Sequence, residues 1–340
     1  MRRAAFIAAV VALASAGVAG GAMTPADGPV PQVAIFYYAW YGTPSTDGAW
    51  AHWTQGGNAP PQMIGSNFYP ARGPYSSGTA KVVRAQMRDI AAMGVDTVIV
   101  SWWGPGSAED ARLRPVAAAA RAAGLRVALH VEPWAGRTPA GVVDALRGLD
   151  GLGIRDVYVY DSTSSPDEEW KAALQGLSGY RVFAHTPLAG KALRGGFQGL
   201  YTYDVLVYDG NSFGRMCASA RRVGLLCAPS VGPGFDATRA TGDLRVRDRK
   251  NGQAYDQMWQ AAVRAAPDVV TITSYNEWHE GTQIEPARDV GAGYLSYDGA
   301  WGLHGTQAER SYLDRTVYWV GRLRNGGAVP LRARARARRQ

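Results

Sequence analysis

Residues 268–285 read DVVTITSYNEWHEGTQIE. The first part, residues 269–274, is an apolar run of strand length that leads directly into a polar segment containing Glu277, Glu280 and Glu285. A buried strand that ends in paired carboxylates and aromatic rings is how many α/β barrels present an active site. A Glu-x-x-Glu pair on its own is more often a solvated helix face. The tyrosine, tryptophan and histidine beside this pair favour a functional site at the end of a barrel strand.

The rest of the chain alternates between apolar strands and amphipathic helices. Strands are predicted at residues 33–40, 95–102, 126–132, 156–161, 181–185, 197–203, 225–230 and 269–274, and helices at 79–93, 108–123, 139–147, 166–177, 188–194, 212–223, 252–266 and 307–324. The interior strands are nearly continuous apolar runs, as expected of parallel strands buried on both faces. Eight strand–helix units in about 300 residues predict one (β/α)8 TIM barrel with long βα loops at its C-terminal face.

The first predicted strand argues against the alternative fold, a doubly wound open sheet. Such sheets usually carry a glycine-rich phosphate loop after their first strand. Here residues 37–41 read YYAWY, so no dinucleotide-binding fingerprint is present. The loop that follows, residues 42–78, has a length that is usually functional in compact domains. The pattern therefore favours the barrel.

The two ends of the chain are expected to lie outside the folded domain. Residues 1–22 begin with a basic pair, continue as an alanine-rich apolar run and end in small residues, which is typical of a secretory signal peptide. Residues 329–340 form an arginine-rich tail that we expect to be disordered, which leaves residues 23–328 as the catalytic domain. We expect a secreted or cell-surface protein without a membrane span in the mature chain; an uncleaved N-terminal anchor is the alternative.

The basic charge belongs to these ends and not to the folded body. Removing the two arginines of the leader and the five of the tail from the formal charge of +8 leaves +1. Nucleic acid is therefore not expected as a partner.

The two cysteines, Cys217 and Cys227, leave two readings open. They could pair outside the cell, or the geometry of a helix and the strand that follows it could keep them apart. The sequence contains neither a Cys-x-x-Cys nor a His-Glu-x-x-His pattern, so no metal and no cofactor is expected.

In a barrel, the catalytic groups lie at the C-terminal ends of the strands. The candidate substrate-binding residues at those ends are Tyr38, Tyr41, Trp102, Trp103, Glu132, Tyr203 and Asn276. Trp134, Asp161, His185 and Asp204 follow strands as well. Of Trp102 and Trp103, one should face the core and the other the pocket, because neighbouring strand residues point to opposite sides. Acidic and aromatic residues without a basic cluster favour a neutral polyhydroxy substrate over a phosphorylated one.

Glu277 and Glu280 are the candidate catalytic pair. Hydrolysis of a glycosidic bond needs a proton donor for the leaving oxygen and a second group that acts at the oxocarbenium-like centre. On a helix-like turn, side chains three residues apart fall on one side, roughly 5–6 Å apart at Cβ. That closeness resembles a retaining more than an inverting arrangement. Mutual repulsion should raise the pKa of one member and keep it protonated.

The sequence resembles glycoside hydrolase family 99, the endo-α-1,2-mannosidases and endo-α-1,2-mannanases. The resemblance rests on FYYAWYG, DGAWAHW, IGSNFYPARGPYSS, HVEPW, YVYDS, GFQGLYTY, PSVGPGFDATR and, most specifically, YNEWHEGTQIE, in family order from about residue 33 to residue 285. Three features depart from the usual pattern. The segment after HVEPW is shorter than in animal members, the loop after Tyr203 differs, and Tyr275 stands where phenylalanine is usual.

This resemblance implies a secreted barrel enzyme that cleaves internal α-1,2-mannosidic bonds with retention and without a metal. Its catalytic pair falls on Glu277 and Glu280. Glu277 would deprotonate the sugar's own 2-hydroxyl, giving a 1,2-anhydro sugar, while Glu280 protonates the leaving oxygen and then activates water. The resemblance also implies sugar contacts from Tyr203, Glu132 and either Trp102 or Trp103. A tryptophan after the second strand is more like the bacterial mannan-acting members.

The expected partner is α-mannan or another mannose-containing glycan. Three alternatives remain open from the sequence: a carbohydrate-binding protein that has lost catalysis, a glycosidase with another α-glycan specificity, and a metal-dependent hydrolase on the same barrel.

Overall fold

The computed structural model describes residues 30–291 and 293–326 and contains a nearly closed barrel of parallel strands. The strands are β1 (Gln32–Tyr37), β2 (Thr97–Trp102), β3 (Arg126–Val131), β4 (Asp156–Val159), β5 (Arg181–His185), β6 (Gly199–Tyr201), β7 (Leu226–Ala228 and Ser230–Val231) and β8 (Val269–Ile272). Each pairs in parallel with its neighbours, and β8 pairs with β1. The expected (β/α)8 barrel is confirmed. The predicted signal peptide and arginine-rich tail lie outside the described residues.

Strand β7 is interrupted at Pro229, which has no N–H to donate to a ladder. Its first part pairs with β6 and its second part pairs with β8. The carbonyl of Pro229 still accepts a hydrogen bond from the N–H of Thr271, at 3.0 Å. The ring of strands is therefore continued across the proline.

A helix follows each strand. The helices are α1 (Ala80–Ala92), α2 (Ala108–Ala122), α3 (Pro139–Arg147), α4 (Asp167–Leu174), α5 (Ala189–Arg194), α6 (Phe213–Arg222), α7 (Gln253–Ala265) and α8 (Ser311–Arg324). The local sequence explains where two of these helices begin. The hydroxyl of Ser107 caps α2 by accepting from the main-chain N–H of Asp110, and the hydroxyl of Thr138 caps α3, whose first residue is a proline. The predicted helix at 307–324 is in fact two helices, Thr306–Glu309 and α8.

Most strands end one to three residues earlier than the apolar pattern predicted. The residues beyond them, such as Tyr38, Glu132 and Tyr203, lie outside the strand pairing. They surround the opening at the C-terminal ends of the strands, called the mouth of the barrel below. The interior below the mouth is filled with rings: Phe36 lies 4.6 Å from His130 and 5.0 Å from Tyr203 between ring centroids. The strand-end residues pack on this layer of aromatic rings, called the aromatic layer below, which restricts their movement.

The structure joins Cys217 of α6 to Cys227 of β7 by a disulfide, with the two Cα atoms 5.1 Å apart. The alternative that geometry keeps them apart is therefore wrong. Over residues 30–291 and 293–326, no helix combines the length and apolar character needed to cross a bilayer.

Candidate active site

The segment after β8 is a turn that carries Glu277 and Glu280 three residues apart. Within it, Trp278 donates from its main chain to the carbonyl of Asn276, and Gly281 donates to the carbonyl of Trp278. Gly281 has a φ of +60°, and a Cβ there would come within 2.9 Å of the carbonyl oxygen of Asp236. The turn therefore needs glycine at this position both for its conformation and for space.

Arg249, which lies outside the turn, binds the main chain that follows Glu280. Nη2 of Arg249 donates to the carbonyls of Gly281 at 2.9 Å and Gln283 at 2.7 Å. The guanidinium lies 4.5 Å above the ring of Phe68 and 4.8 Å above that of Tyr297. Cation–π contact on this scale stabilises the planar head, so the arginine fixes the main chain next to Glu280.

Glu277 is buried at the end of the barrel, with 3% of its surface exposed. Its N–H donates to the hydroxyl of Ser274 at 2.8 Å, and its Oε1 accepts the main-chain N–H of His279 at 3.0 Å. Burial raises its pKa well above the ordinary value, and the charge of Glu280 adds to the rise. The main-chain N–H groups of His279 and Glu280 act in the opposite direction, because they stabilise the ionised form.

Glu280 has a different environment. Among the described residues, its side-chain donor is the hydroxyl of Tyr203, which lies 3.4 Å from Oε2. Burial, followed by the charges of Asp204 and Glu132, raises its pKa to about 8. Burial therefore raises the pKa of both carboxyls. The main-chain donors of Glu277 act against this rise and favour its anion, whereas Glu280 is held as an acid near neutral pH.

Tyr38 and Tyr203 are in contact with each other next to the aromatic layer. Their hydroxyls are hydrogen-bonded to each other, and Tyr203 also reaches Glu280. Tyr38 follows β1 and Tyr203 follows β6, two strands that are not neighbours in the barrel, and only 3% and 5% of their surfaces are exposed. The structure thus brings these two predicted residues next to the carboxylate pair.

Asn276 and Tyr41 are buried and hold Tyr38 and the catalytic turn in place by hydrogen bonds. The amide of Asn276 has no exposed surface and bonds Tyr38 in both directions, accepting from its N–H at 2.8 Å and donating to its carbonyl at 2.9 Å. Tyr41, also without exposed surface, donates to the carbonyl of Asn276 and accepts the N–H of Trp278, each at 3.1 Å. Both residues were predicted to contact substrate, and the structure places both in the layer that positions the turn.

Glu132 lies at the end of β3 with 5% of its surface exposed. Its Oε1 accepts from the hydroxyl of Ser101 at 2.8 Å and lies 2.9 Å from Nδ1 of His130. Nε2 of His130 is 2.9 Å from the hydroxyl of Tyr201. This group of partners, which the sequence analysis missed, follows from strand periodicity, because His130 and Glu132 are two residues apart and share a face.

The two tryptophans after β2 lie in different surroundings. Trp102 is buried and its indole N–H donates to Asp110 of α2 at 2.8 Å, so it lies on the helix side of the sheet. Trp103 has 36% of its surface exposed. Trp103 is therefore the more exposed member of the pair.

A cleft of about 280 Å³ opens beside Glu280 and is lined by Tyr160, Asp204 and Phe235 among others. Asp204 accepts from the hydroxyl of Tyr160 at 3.2 Å and lies 3.2 Å from Nε2 of His185. Burial works against its charge, but His185 and Tyr160 hold the pKa of Asp204 below its ordinary value. This carboxylate keeps negative charge beside Glu280 and so helps Glu280 retain its proton.

Glu285, the third glutamate of the turn, has no exposed surface. It accepts from Tyr75 at 2.7 Å, from Gln86 at 2.9 Å and from the indole of Trp278 at 3.1 Å. Its oxygens are satisfied inside the protein, so its role is to anchor the long loop 42–78 and α1 to the catalytic turn. Within the described residues, no three His, Cys, Asp or Glu side chains are grouped as metal ligands would be.

Comparison with known proteins agrees with this architecture. Residues 31–325 match the sequence model described as glycosyl hydrolase family 99. The chain is 34% identical over 352 residues to the glycoprotein endo-alpha-1,2-mannosidase-like protein of Danio rerio, covering 85% of this chain and 77% of that protein. It is 32% identical over 324 residues to the glycoprotein endo-alpha-1,2-mannosidase of Xenopus laevis, covering 78% and 72%.

A solved structure gives the same result for the fold. The GH99 endo-alpha-mannosidase from Bacteroides thetaiotaomicron superposes with a TM-score of 0.77 at 29% sequence identity, covering 88% of this chain and 99% of that one. The residues that match the family model, 31–325, span the whole barrel, including the turn that carries the two glutamates. We conclude that this chain is a glycoside hydrolase that belongs to glycosyl hydrolase family 99.

Proposed function

We propose that the protein is a secreted, endo-acting enzyme that hydrolyses internal α-1,2-mannosidic linkages of mannan or mannose-rich glycans with retention of configuration. The observation that carries the proposal is a pair of neighbouring buried carboxyls whose pKa values are both raised by burial. Main-chain donors favour the anion of Glu277, and Glu280 has a pKa of about 8. A mannoside substrate is supported by the names of the relatives given above, an endo-alpha-1,2-mannosidase, an endo-alpha-mannosidase and an endo-alpha-1,2-mannosidase-like protein.

In the first step, Glu277 accepts the proton of the 2-hydroxyl as that oxygen attacks C1 and forms a 1,2-anhydro ring. The C1–oxygen bond to the leaving sugar breaks, and Glu280 donates its proton to the departing oxygen. Back-side attack is available because O2 of an α-mannoside lies trans to the bond that breaks. Glu277 is then a base and forms no bond to the sugar.

In the second step, Glu280 takes a proton from water as the water oxygen attacks C1. The C1–O2 bond opens, and O2 recovers its proton from Glu277. C1 is inverted twice, so the configuration of the product is that of the substrate. The two carboxyls return to their starting states without any other acid or base.

The remaining polar and aromatic groups of the mouth would bind the glycan. Tyr203 and Tyr38 present hydroxyls beside Glu280, and the exposed ring of Trp103 offers a face on which a sugar can stack. Glu132 offers a carboxylate oxygen to sugar hydroxyls at the end of β3. Because carboxylates dominate the mouth, a neutral glycan fits it better than a phosphorylated one.

The test is product analysis after incubation with linear α-1,2-linked mannan, with α-1,6- and α-1,3-linked mannans and an α-glucan as comparisons. The proposal predicts oligosaccharide products from the α-1,2-mannan alone, with α-configured reducing ends in the first minutes of an NMR time course. Release of nothing from any polymer would indicate a carbohydrate-binding protein. Products from the other polymers alone would indicate a different specificity, and activity lost to a chelator and restored by zinc would indicate a metal-dependent hydrolase.

A further inference from the structure

The side chain of His279 lies between the carboxyl of Glu277 and the main chain of His52, which belongs to the long loop 42–78. Nε2 of His279 is 2.8 Å from the carbonyl oxygen of His52, and Nδ1 is 3.5 Å from Oε1 of Glu277. The imidazole has little exposed surface, and it stacks 5.6 Å from Trp40 and 5.5 Å from the His52 ring. The ring is thus fixed on both edges and on its faces.

The His52 contact decides which nitrogen of His279 carries the hydrogen. A carbonyl oxygen can only accept, so a hydrogen bond at this distance requires the proton on Nε2. Burial lowers the pKa of His279 to about 4, so the ring is neutral at the pH of most extracellular fluids. A neutral imidazole with its hydrogen on Nε2 has a bare Nδ1, which is a hydrogen-bond acceptor.

We propose that His279 is a positioning residue for Glu277: its Nδ1, kept free of hydrogen by the His52 carbonyl, accepts the O–H of Glu277 whenever that carboxyl has taken up a proton. The inference rests on the role of base proposed above for Glu277. The ionised carboxylate is held by the main-chain N–H of His279, at 3.0 Å from Oε1. One residue therefore offers a donor to the charged form and an acceptor to the neutral form.

The proton held in this way is the one taken from the sugar's 2-hydroxyl. It stays on the Glu277 carboxyl, hydrogen-bonded to Nδ1, while the anhydro ring exists, and it returns to O2 when water opens that ring. No proton is gained or lost by His279 in the cycle. Stabilising the neutral form makes Glu277 a stronger base, since it raises the pKa of that carboxyl.

The backbone conformation of His52 directs its carbonyl oxygen toward His279. His52 adopts a left-handed conformation, with a φ of 64°, which is uncommon for a residue with a side chain. Its ring stacks on Trp40 at 4.5 Å with the planes 7° apart. The segment DGAWAHW thus contributes a main-chain acceptor to the site through a conformation that the stacked ring helps to hold.

Other titratable groups lie close to Glu277 and His52, and their ionisation also contributes to the pH dependence of activity. Those near Glu277 are Glu280, Glu132, Tyr38, Tyr41 and Tyr203, and those near His52 are His279 and Arg112. Apart from His279 itself, all of these groups are kept in the His279 variants below, so a change in the profile reports on the substituted imidazole.

The first test needs no substrate. In ¹⁵N-histidine-labelled wild-type protein, NMR should show Nε2 of His279 protonated and Nδ1 bare throughout pH 5 to 8, with the signals assigned by their loss in His279→Asn. A hydrogen on Nδ1, or a doubly protonated ring in that range, would overturn the proposal. This reading stands whether or not the protein cleaves mannan, so it separates failure of the inference from failure of the proposed function.

The second test compares two variants by kcat and the pH dependence of kcat/KM on α-1,2-mannan. His279→Phe removes the acceptor, so kcat should fall about tenfold and the acid limb should move to lower pH by about one unit. His279→Asn, whose side-chain oxygen can take the place of Nδ1, should recover most of both. The exposed His304, changed to Asn, is the matched control and should behave as wild type. Equal losses in the Phe and Asn variants with an unmoved acid limb would mean a merely structural role.

Discussion

The double hydrogen bond between Asn276 and Tyr38 gives the most quantitative prediction. Asn276→Ala leaves the N–H and the carbonyl of Tyr38 without their partners, at 2.8 and 2.9 Å, in a place with no exposed surface. An unsatisfied buried polar group costs about 1–3 kcal/mol. Two such groups should therefore lower the free energy of unfolding by about 4 kcal/mol.

The loss should extend to activity, because Tyr38 is bonded to Tyr203 and Tyr203 to Glu280. Urea unfolding followed by tryptophan fluorescence gives the free energy, and kcat is measured where the variant is still folded. Asn211→Ala is the matched control: Asn211 is exposed and its side chain bonds Asp209 on the surface, so the change should stay within about 0.5 kcal/mol. A loss below about 1 kcal/mol in Asn276→Ala, with normal kcat, would refute the reasoning.

Three further predictions follow. Because the proposed acid, Glu280, has a pKa of about 8, kcat/KM should fall as pH rises through that value; a profile flat to pH 10 would contradict this. Changing Cys217 and Cys227 to serine should lower the free energy of unfolding by about 3 kcal/mol, because it opens a cross-link with a sequence separation of 10; equal urea midpoints would contradict this. Trp103→Ala should raise KM for mannan at least about tenfold by loss of stacking. Trp102→Phe, matched to it, should mainly lower stability.

The barrel could be predicted because its signals are local and repeated. Each strand is an apolar run, each helix is amphipathic, and the order of eight such units leaves few topologies. The same regularity explains why strand-end residues such as Tyr38, Glu132 and Tyr203 could be grouped before the structure was known: parallel strands deliver their C-terminal ends to one face.

The parts that could not be predicted depend on contacts between distant segments. Nothing in YNEWHEGTQIE indicates that Asn276 bonds the main chain of Tyr38, 238 residues away, or that Glu285 anchors Tyr75. The strand ends were overextended because apolar residues that leave the ladder look the same in sequence as those within it. The disulfide depended on the distance between Cys217 and Cys227, which spacing alone does not determine.

The central claim is that Glu277 and Glu280 carry out the chemistry together, and the kinetics of two isosteric variants test it most directly. Purified Glu277→Gln and Glu280→Gln should fold like wild type and bind α-1,2-mannan, while kcat falls at least about a thousandfold in each. Both changes should cost a similar factor, because each step of the proposed reaction needs both residues. Retention of more than about a tenth of the wild-type kcat by either variant would contradict the account.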